Sequence, residues 1–382
     1  MKKHGILLVG AKRTHQRSHA EVFGAHPRCN LVAVASEKGD PEGRATLYQA
    51  LADDLGVPYI PDLDEALERD DVDIVSSTPM VELRGGVAAK CMDAGKHVYM
   101  DKPLAGSVED LDLIVAGYER NNVRVQMFTM NLAPWVQAAR QAVADGRIGE
   151  LRAVHAENIF AKGRAGSVNR GTVRKERETP DRFTFIEAKR EMFDVGIYSL
   201  GFIHTITGRG FESVYAHTGN YFFGEHASVG VEDFGAMAIK LEGGVTATLA
   251  GGRFGWTSHP KGGPQKVVIV GTEGTLTFDA YRPRIELYNN EVPFTQPAVD
   301  PHDPMGMWEP SHPAYEAPPK QTWTQLPLPN AMALDVDAFV RCIEDGREPD
   351  VNPRVAASMT EVILGAYASA ARGEEVSLPL SR

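Results

Sequence analysis

Five short apolar runs, at 6–9, 31–35, 72–77, 98–100 and 123–128, alternate with helix-forming stretches such as 43–55, 81–94 and 108–121. This alternation constrains the fold more than any other feature of the chain. Two parallel strands cannot be joined by a tight turn and need a crossover, usually a helix. Repeated strand–helix units of this length therefore predict an α/β domain with a doubly wound parallel sheet. The punctuation agrees: Gly56 and Gly95 fall just past two of the helices, where a left-handed cap is needed, and Ser107 opens a capping-box-like Ser-Val-Glu-Asp. An amphipathic helix at 131–147, with Pro134 in its first turn, closes this first domain, drawn at 1–130.

After Gly149 the pattern changes. Apolar runs at 151–160, 213–217, 234–241, 245–251, 266–270, 274–278 and 284–288 follow one another with turn signals such as Glu242-Gly243-Gly244 between them. One long helix, at 191–207, interrupts them. The expectation is a second, α+β domain over 131–382 with a large, mostly antiparallel open sheet, whose face must be covered by that helix or by another subunit. Residues 291–329 hold ten of the 24 prolines, so 291–330 is expected to be an irregular excursion, followed by two C-terminal helices at 331–345 and 353–372.

A formal net charge of -11 argues against nucleic acid or an acidic membrane surface as partner. No apolar run approaches the roughly 18–20 residues of a membrane span. Cys29, Cys91 and Cys342 are widely spaced and odd in number, which suits free thiols in a reducing cytoplasm and no metal set. His302, Asp303 and His312 also lack metal-ligand spacing.

Two places carry chemistry. Lys102 sits immediately before Pro103 and just past a buried strand, where open α/β sheets bind ligands; elsewhere such a lysine would be an ordinary surface residue. The first strand runs into Gly10-Ala11-Lys12-Arg13-Thr14, which keeps one glycine of a dinucleotide fingerprint, with Lys12, Arg13 and Arg17 able to supply charge to a pyrophosphate. The second strand ends in Ser36-Glu37-Lys38, small, acidic and basic in turn. That tip leans towards NAD and leaves NADP open.

Four stretches, in order, resemble the Gfo/Idh/MocA oxidoreductases, the family of glucose–fructose oxidoreductase and inositol dehydrogenase. They are Val75-Ser76-Ser77-Thr78-Pro79, Ala94-Gly95-Lys96-His97-Val98 with Asp101-Lys102-Pro103, Asp145-Gly146-Arg147-Ile148-Gly149-Glu150-Leu151, and Asp194-Val195-Gly196-Ile197-Tyr198. The resemblance implies a Rossmann domain followed by an α/β domain with a large open sheet used for oligomerisation, as a homodimer or homotetramer. It also implies an NAD(P)-dependent dehydrogenase acting on a hydroxyl of a sugar or polyol. The cofactor would lie along Gly10, Ala11, Lys12, Arg13, Thr14, Ser36, Glu37, Lys38, Thr78, Pro79, Asp101, Lys102 and Pro103. Departures are the glycine-poor loop, Asp101 in place of the usual Glu, Lys189-Arg190-Glu191 in place of a glycine run, and Asn131 where relatives often carry Arg.

Hydride transfer from an alcohol needs a base for the hydroxyl proton. Asp194 and Tyr198, four residues apart, share a helix face, and Gly201 at the next turn would leave space for a ligand. The expected roles are Tyr198 as general acid/base, Lys102 lowering its pKa and stabilising alkoxide charge, and Asp194 orienting the substrate. Asn131, Phe160, Lys162, Arg164 and Arg190 are further candidates for substrate contact, and His204 is expected to be a packed helix residue. Two other readings compete: a glycoside-processing enzyme whose tightly held NAD cycles with no net redox, and a regulator that senses sugar or nucleotide without turnover.

Overall fold

The computed structural model describes residues 3–10, 15–37, 44–161, 168, 174–183, 185, 188–254, 265–279, 284–289, 320–327 and 329–382. Ala11, Lys12, Arg13, Thr14, Lys38, Lys162, Arg164, and residues 291–319 of the expected excursion lie outside these.

The first domain runs β1 (His4–Val9), α1 (His15–Ala25), β2 (Cys29–Ala35), α2 (Arg44–Leu55), β3 (Tyr59–Ile60), α3 (Leu63–Leu67), β4 (Ile74–Ser77), α4 (Arg84–Asp93), β5 (His97–Met100), α5 (Val108–Arg120) and β6 (Val125–Met127). All six strands are parallel, in the order β3-β2-β1-β4-β5-β6, so strand order reverses between β1 and β4. Ile6, Leu7, Leu8 and Val9 are all fully buried, as a strand covered on both faces requires. Ser107 Oγ accepts a hydrogen bond from the Asp110 amide at 3.1 Å and starts α5. The predicted helix at 81–94 is split: 81–83 form a 3-10 turn before α4 begins.

The second domain comprises α6 (Pro134–Ala144), β7 (Leu151–Ala161), α7 (Glu191–Thr207), β8 (Phe211–Gly219), α8 (Gly224–Ser228), β9 (Phe234–Leu241), β10 (Val245–Phe254), β11 (Gln265–Gly271), β12 (Gly274–Asp279), β13 (Arg284–Asn289), β14 (Lys320–Gln325), α9 (Ala331–Asp345), α10 (Pro353–Arg372) and β15 (Val376–Ser377). Nine strands form one sheet, in the order β14-β13-β12-β11-β7-β10-β9-β8-β15, antiparallel except for the β7–β10 pair. Strand β14 falls inside the stretch expected to be irregular. Its sequence, Lys-Gln-Thr-Trp-Thr-Gln, carries no proline and suits an edge strand paired to β13.

Helix α7 lies across one face of this sheet. Gly251 of β10 lies opposite Gly196 of α7, where a methyl on Gly251 would stand at ordinary contact distance, 3.5 Å, from the Gly196 Cα. The helix also packs against α6 and α10, which is why it is apolar nearly all round. Along β9 the opposite face is open, with Ala236, Ala238 and Lys240 exposed while Met237, Ile239 and Leu241 are buried. The C-terminal helices tie the two domains together. Val336, Phe339 and Val340 of α9 share one core with Ile6, Leu8, Phe23 and Tyr99 of the first domain, and α10 packs against α5 and β6 on one side and α7 and β8 on the other. Among the described residues no helix is long and apolar enough to cross a membrane.

Candidate active site

Lys102 follows β5, whose ladder with β4 continues one step further as the Asp101 amide donates to the Ser77 carbonyl at 2.9 Å. The side chain of Lys102 is buried, and the residue is only 2% exposed. Its ammonium reaches across the domain boundary to the first turns of α7. There it donates to the Asp194 main-chain carbonyl and, at 3.1 Å, to Asp194 Oδ1, and it lies over the Tyr198 ring, 4.7 Å from the centroid. Lys102, Asp194 and Tyr198 are thus brought together, and Lys102 faces the ring of Tyr198 while its hydrogen bonds go to Asp194. Phe128 meets the Tyr198 ring edge-on, with centroids 6.2 Å apart.

The sequence reading missed Lys189. Its ammonium donates to Asp194 Oδ2 at 3.2 Å, so one carboxylate lies between two lysines. These three groups carry a net positive charge, which favours a substrate oxygen that becomes negative. A lysine five residues before a candidate catalytic Asp was the available signal.

The first turn of α7 is held by charges from distant strands. Arg253 on β10 donates to Glu191 Oε1 at 2.7 Å and Oε2 at 3.1 Å, and His226 Nε2 lies 3.0 Å from Oε1. Glu232, fully buried, accepts from the Met192 amide at 3.2 Å and the Tyr367 hydroxyl at 2.6 Å. Burial pushes the Glu232 carboxyl up to about 7 although Arg190 opposes the shift. Arg190, expected to contact substrate, is 4% exposed, with its guanidinium 3.3 Å from Glu176 and 3.4 Å from Glu232.

Asn131 is buried: its Oδ1 accepts from the Thr129 hydroxyl at 3.4 Å and its main-chain carbonyl accepts from Gln137 Nε2 at 2.7 Å. The preceding residue, Met130, has φ of 61°, a left-handed conformation that a non-glycine residue adopts at an energetic cost. Phe160 is half-buried on β7, in register with Arg253. Gly201 does not open space for a ligand. A methyl there would meet Thr129 Cβ at 2.9 Å, so the missing side chain serves close packing of α7 on the 129–131 loop. His204 is partly buried and burial lowers its pKa, as for a packed histidine.

The crevice for a dinucleotide lies where strand order reverses, at the carboxyl ends of β1 and β4. Gly10, at φ of 93°, lets these two turns touch: a methyl would lie 2.5 Å from the Thr78 carbonyl carbon. The buried hydroxyls of Ser77 and Thr78 have no hydrogen-bond partner among the described residues, so donors wait at this edge. Both features fit a bound dinucleotide. Arg84, 1% exposed, ties the crevice walls together by donating to Asp101 Oδ2 at 2.7 Å, to the Pro79 carbonyl at 3.5 Å and to the Pro103 carbonyl. Asp101 Oδ1 lies 2.9 Å from His15 Nδ1 at the start of α1, so this carboxylate braces the two turns from within. At the β2 tip the Ser36 hydroxyl donates to the Pro61 carbonyl at 3.1 Å, and Lys90 pairs with Glu37 at 3.1 Å. No group of three or more His, Cys, Asp or Glu among the described residues is placed to hold a metal.

Residues 4–129 match the model of an oxidoreductase family with an NAD-binding Rossmann fold, and residues 136–277 match the GFO/IDH/MocA C-terminal domain. The chain belongs to the GFO/IDH/MocA oxidoreductases. Its first six strands are the NAD-binding Rossmann domain of that family, and its nine-stranded sheet is built largely from the family's C-terminal domain. Among curated relatives, it is 27% identical over 282 residues to a dTDP-3,4-didehydro-2,6-dideoxy-alpha-D-glucose 3-reductase of Streptomyces violaceoruber, covering 73% of each chain. It is 23% identical over 366 residues to the scyllo-inositol 2-dehydrogenase (NAD(+)) of Bacillus subtilis, covering 93% of this chain and 91% of the relative. The solved structure of an aldose-aldose oxidoreductase from Caulobacter crescentus, complexed with glycerol, superposes with a TM-score of 0.70 at 21% identity, over 99% of this chain and all of that one.

Proposed function

We propose that this GFO/IDH/MocA oxidoreductase catalyses NAD-dependent interconversion of a secondary hydroxyl and a carbonyl on a sugar, sugar derivative or polyol. The observation that carries this reading is Lys102, almost wholly buried, joined to Asp194 and lying over Tyr198 across the domain boundary. NAD, when bound, supplies the hydride-accepting ring. Gly10, Thr78 and Pro79 would hold it at the β1–β4 edge, with Arg84 and Asp101 keeping the turns in place. Tyr198, as the phenolate, takes the hydroxyl proton and becomes the neutral phenol while the carbinol hydrogen leaves as hydride. The ammonium of Lys102 stabilises negative charge on the substrate oxygen. Asp194, its two oxygens held by Lys102 and Lys189, orients a substrate hydroxyl. Burial of the group keeps water from competing for these contacts.

Tyr198→Phe should lower turnover by about 10²–10⁴-fold, measured as NADH absorbance with a sugar and polyol panel, while NAD affinity is unchanged. Near-wild-type turnover would remove Tyr198 from the mechanism. We read the open face of the nine-stranded sheet as the surface on which copies of the chain pair, into a dimer or tetramer. Ala238→Glu at the centre of that face should yield monomers in sedimentation. Three buried free cysteines, Cys29, Cys91 and Cys342, favour a reducing, cytoplasmic setting.

A further inference from the structure

A cavity of about 830 Å³ opens beside the first turn of α7. Met80, next to the Pro79 turn, forms one wall, and Arg190, the residue that precedes α7, forms another. Arg190 and Asp194 belong to the same helical turn, the Asp194 amide donating to the Arg190 carbonyl at 2.9 Å, so the cavity and the Lys102–Asp194–Tyr198 group flank the first turn of α7. Among the described residues five cationic side chains line it: Arg174, Lys175, Arg177, Arg182 and Arg190. Among the described lining residues Glu82 and Asp181 are acidic: Glu82 accepts from the Phe183 amide at 2.8 Å, and Asp181 pairs with Arg177 at 2.7 Å and so offsets one of the five cations. In a chain of net charge -11, this excess of positive charge on one wall is local.

The inner guanidiniums are fixed from behind. Glu176 sits between Arg174 and Arg190 and is buried, with the Thr218 hydroxyl donating to it at 2.7 Å. Burial alone would raise its carboxyl, but the hydrogen bond and charge of Arg174, with help from Thr218 and Arg190, hold it below the ordinary value and keep it ionised. The side chain of Arg174 is 9% exposed, and its Nε, fully buried, finds no acceptor among the described residues. Held in this way on a cavity wall, the Arg174 guanidinium is placed to meet an acceptor that enters the cavity.

We infer that this cavity is the subsite for an anionic group, carboxylate or phosphate, on the substrate whose carbinol carbon lies at Lys102 and Tyr198. The inference rests on the dehydrogenase reading above and narrows its substrate class to acidic sugars or sugar phosphates. Fixed arginines recognise either group through paired N–H donors.

The test uses the NAD-loaded protein and matched probes: D-glucuronate against D-glucose, D-galacturonate against D-galactose, and glucose 6-phosphate against glucose. Calorimetric titration at low salt should give at least one acidic probe a Kd about tenfold or more below its neutral counterpart. Preference for the uronates identifies a carboxylate, and preference for the phosphate identifies a phosphoryl group. Arg174→Gln should bring acidic and neutral probes within about threefold of each other. The exposed pair Lys175→Gln/Arg182→Gln, which leaves the buried network intact, should weaken acidic probes alone. Equal binding of acidic and neutral probes, or a preference that survives both variants, overturns the subsite. NADH formation in the same samples separates the two readings. Equal oxidation of acidic and neutral sugars keeps the dehydrogenase and removes the subsite, whereas selective acid binding without NADH keeps the subsite and removes the dehydrogenase.

Discussion

Replacing Asp335 with asparagine should make this protein more stable, by an amount that grows from about pH 4 to pH 7 and then stays constant. Asp335 is fully buried on α9, where its Oδ2 accepts from the Tyr99 hydroxyl at 2.7 Å and its Oδ1 has no partner among the described residues. Burial, the largest cause, pushes its carboxyl from 3.8 up to about 7, against the hydrogen bonds of Tyr99 and Gln126. The folded protein therefore holds a proton that the unfolded chain has lost between about pH 4 and pH 7. Stability is greatest below the unfolded value and falls as pH rises towards 7. At about 1.4 kcal/mol for each pH unit, the loss is of order 4 kcal/mol. Asparagine stays neutral throughout, its carbonyl can accept from Tyr99, and it abolishes that loss. Urea denaturation of both proteins from pH 4 to pH 8.5 gives the difference directly. Glu232, also raised to about 7, is common to both and cancels. The stability of the asparagine variant relative to wild type should climb by ~4 kcal/mol from pH 4 to pH 7 and then level off. A pH-independent difference would show that Asp335 is solvated or paired in a way that the buried geometry does not allow.

Gly10→Ala forces a methyl against the Thr78 carbonyl at a positive φ. It should cost about 1–3 kcal/mol of stability and raise the Kd for NAD roughly tenfold, read by fluorescence titration; unchanged NAD binding would place the cofactor away from this edge. Arg84→Met leaves the Asp101 carboxylate buried without its guanidinium, and should destabilise the fold by about 3–5 kcal/mol in urea; a loss below about 1 kcal/mol would mean that water replaces the arginine.

Much of the fold was legible because local chemistry and burial agree. Helix α7 matches its expected bounds: its apolar residues run right round the helix and Gly208, in the left-handed conformation, stops it. Five of the six first-domain strands are visible as apolar runs because both of their faces are covered; β3, only two residues long, makes no such run. Strand β14 was lost in a proline-rich neighbourhood, since an edge strand needs only a short permissive segment. In the candidate site, Lys102, Asp194 and Tyr198 could be named from the order of their motifs, but their meeting across the domain boundary could not be read from spacing. Lys189 had a readable clue. Arg84, Arg253 and Glu232 had none, because their partners lie on other elements and a lone charged residue in a sequence says nothing about which opposite charge will be folded against it. Gly201 shows the reverse error: an absent side chain reads equally well as room for a ligand and as a close contact, and the packing of Thr129 makes it the second.

The placement of α9 bears on how the chain emerges from the ribosome. Ile6, Leu8, Phe23 and Tyr99 share a core with Val336, Phe339 and Val340. At about 5–20 residues per second, roughly 10–40 s of synthesis separate the end of the NAD-binding domain from the helix that covers it. Throughout that interval the part of this core that α9 covers, beside Phe23 and Tyr99, is exposed, a landing place for a chaperone. A truncated protein ending near residue 130 should aggregate unless α9 is supplied as a separate peptide.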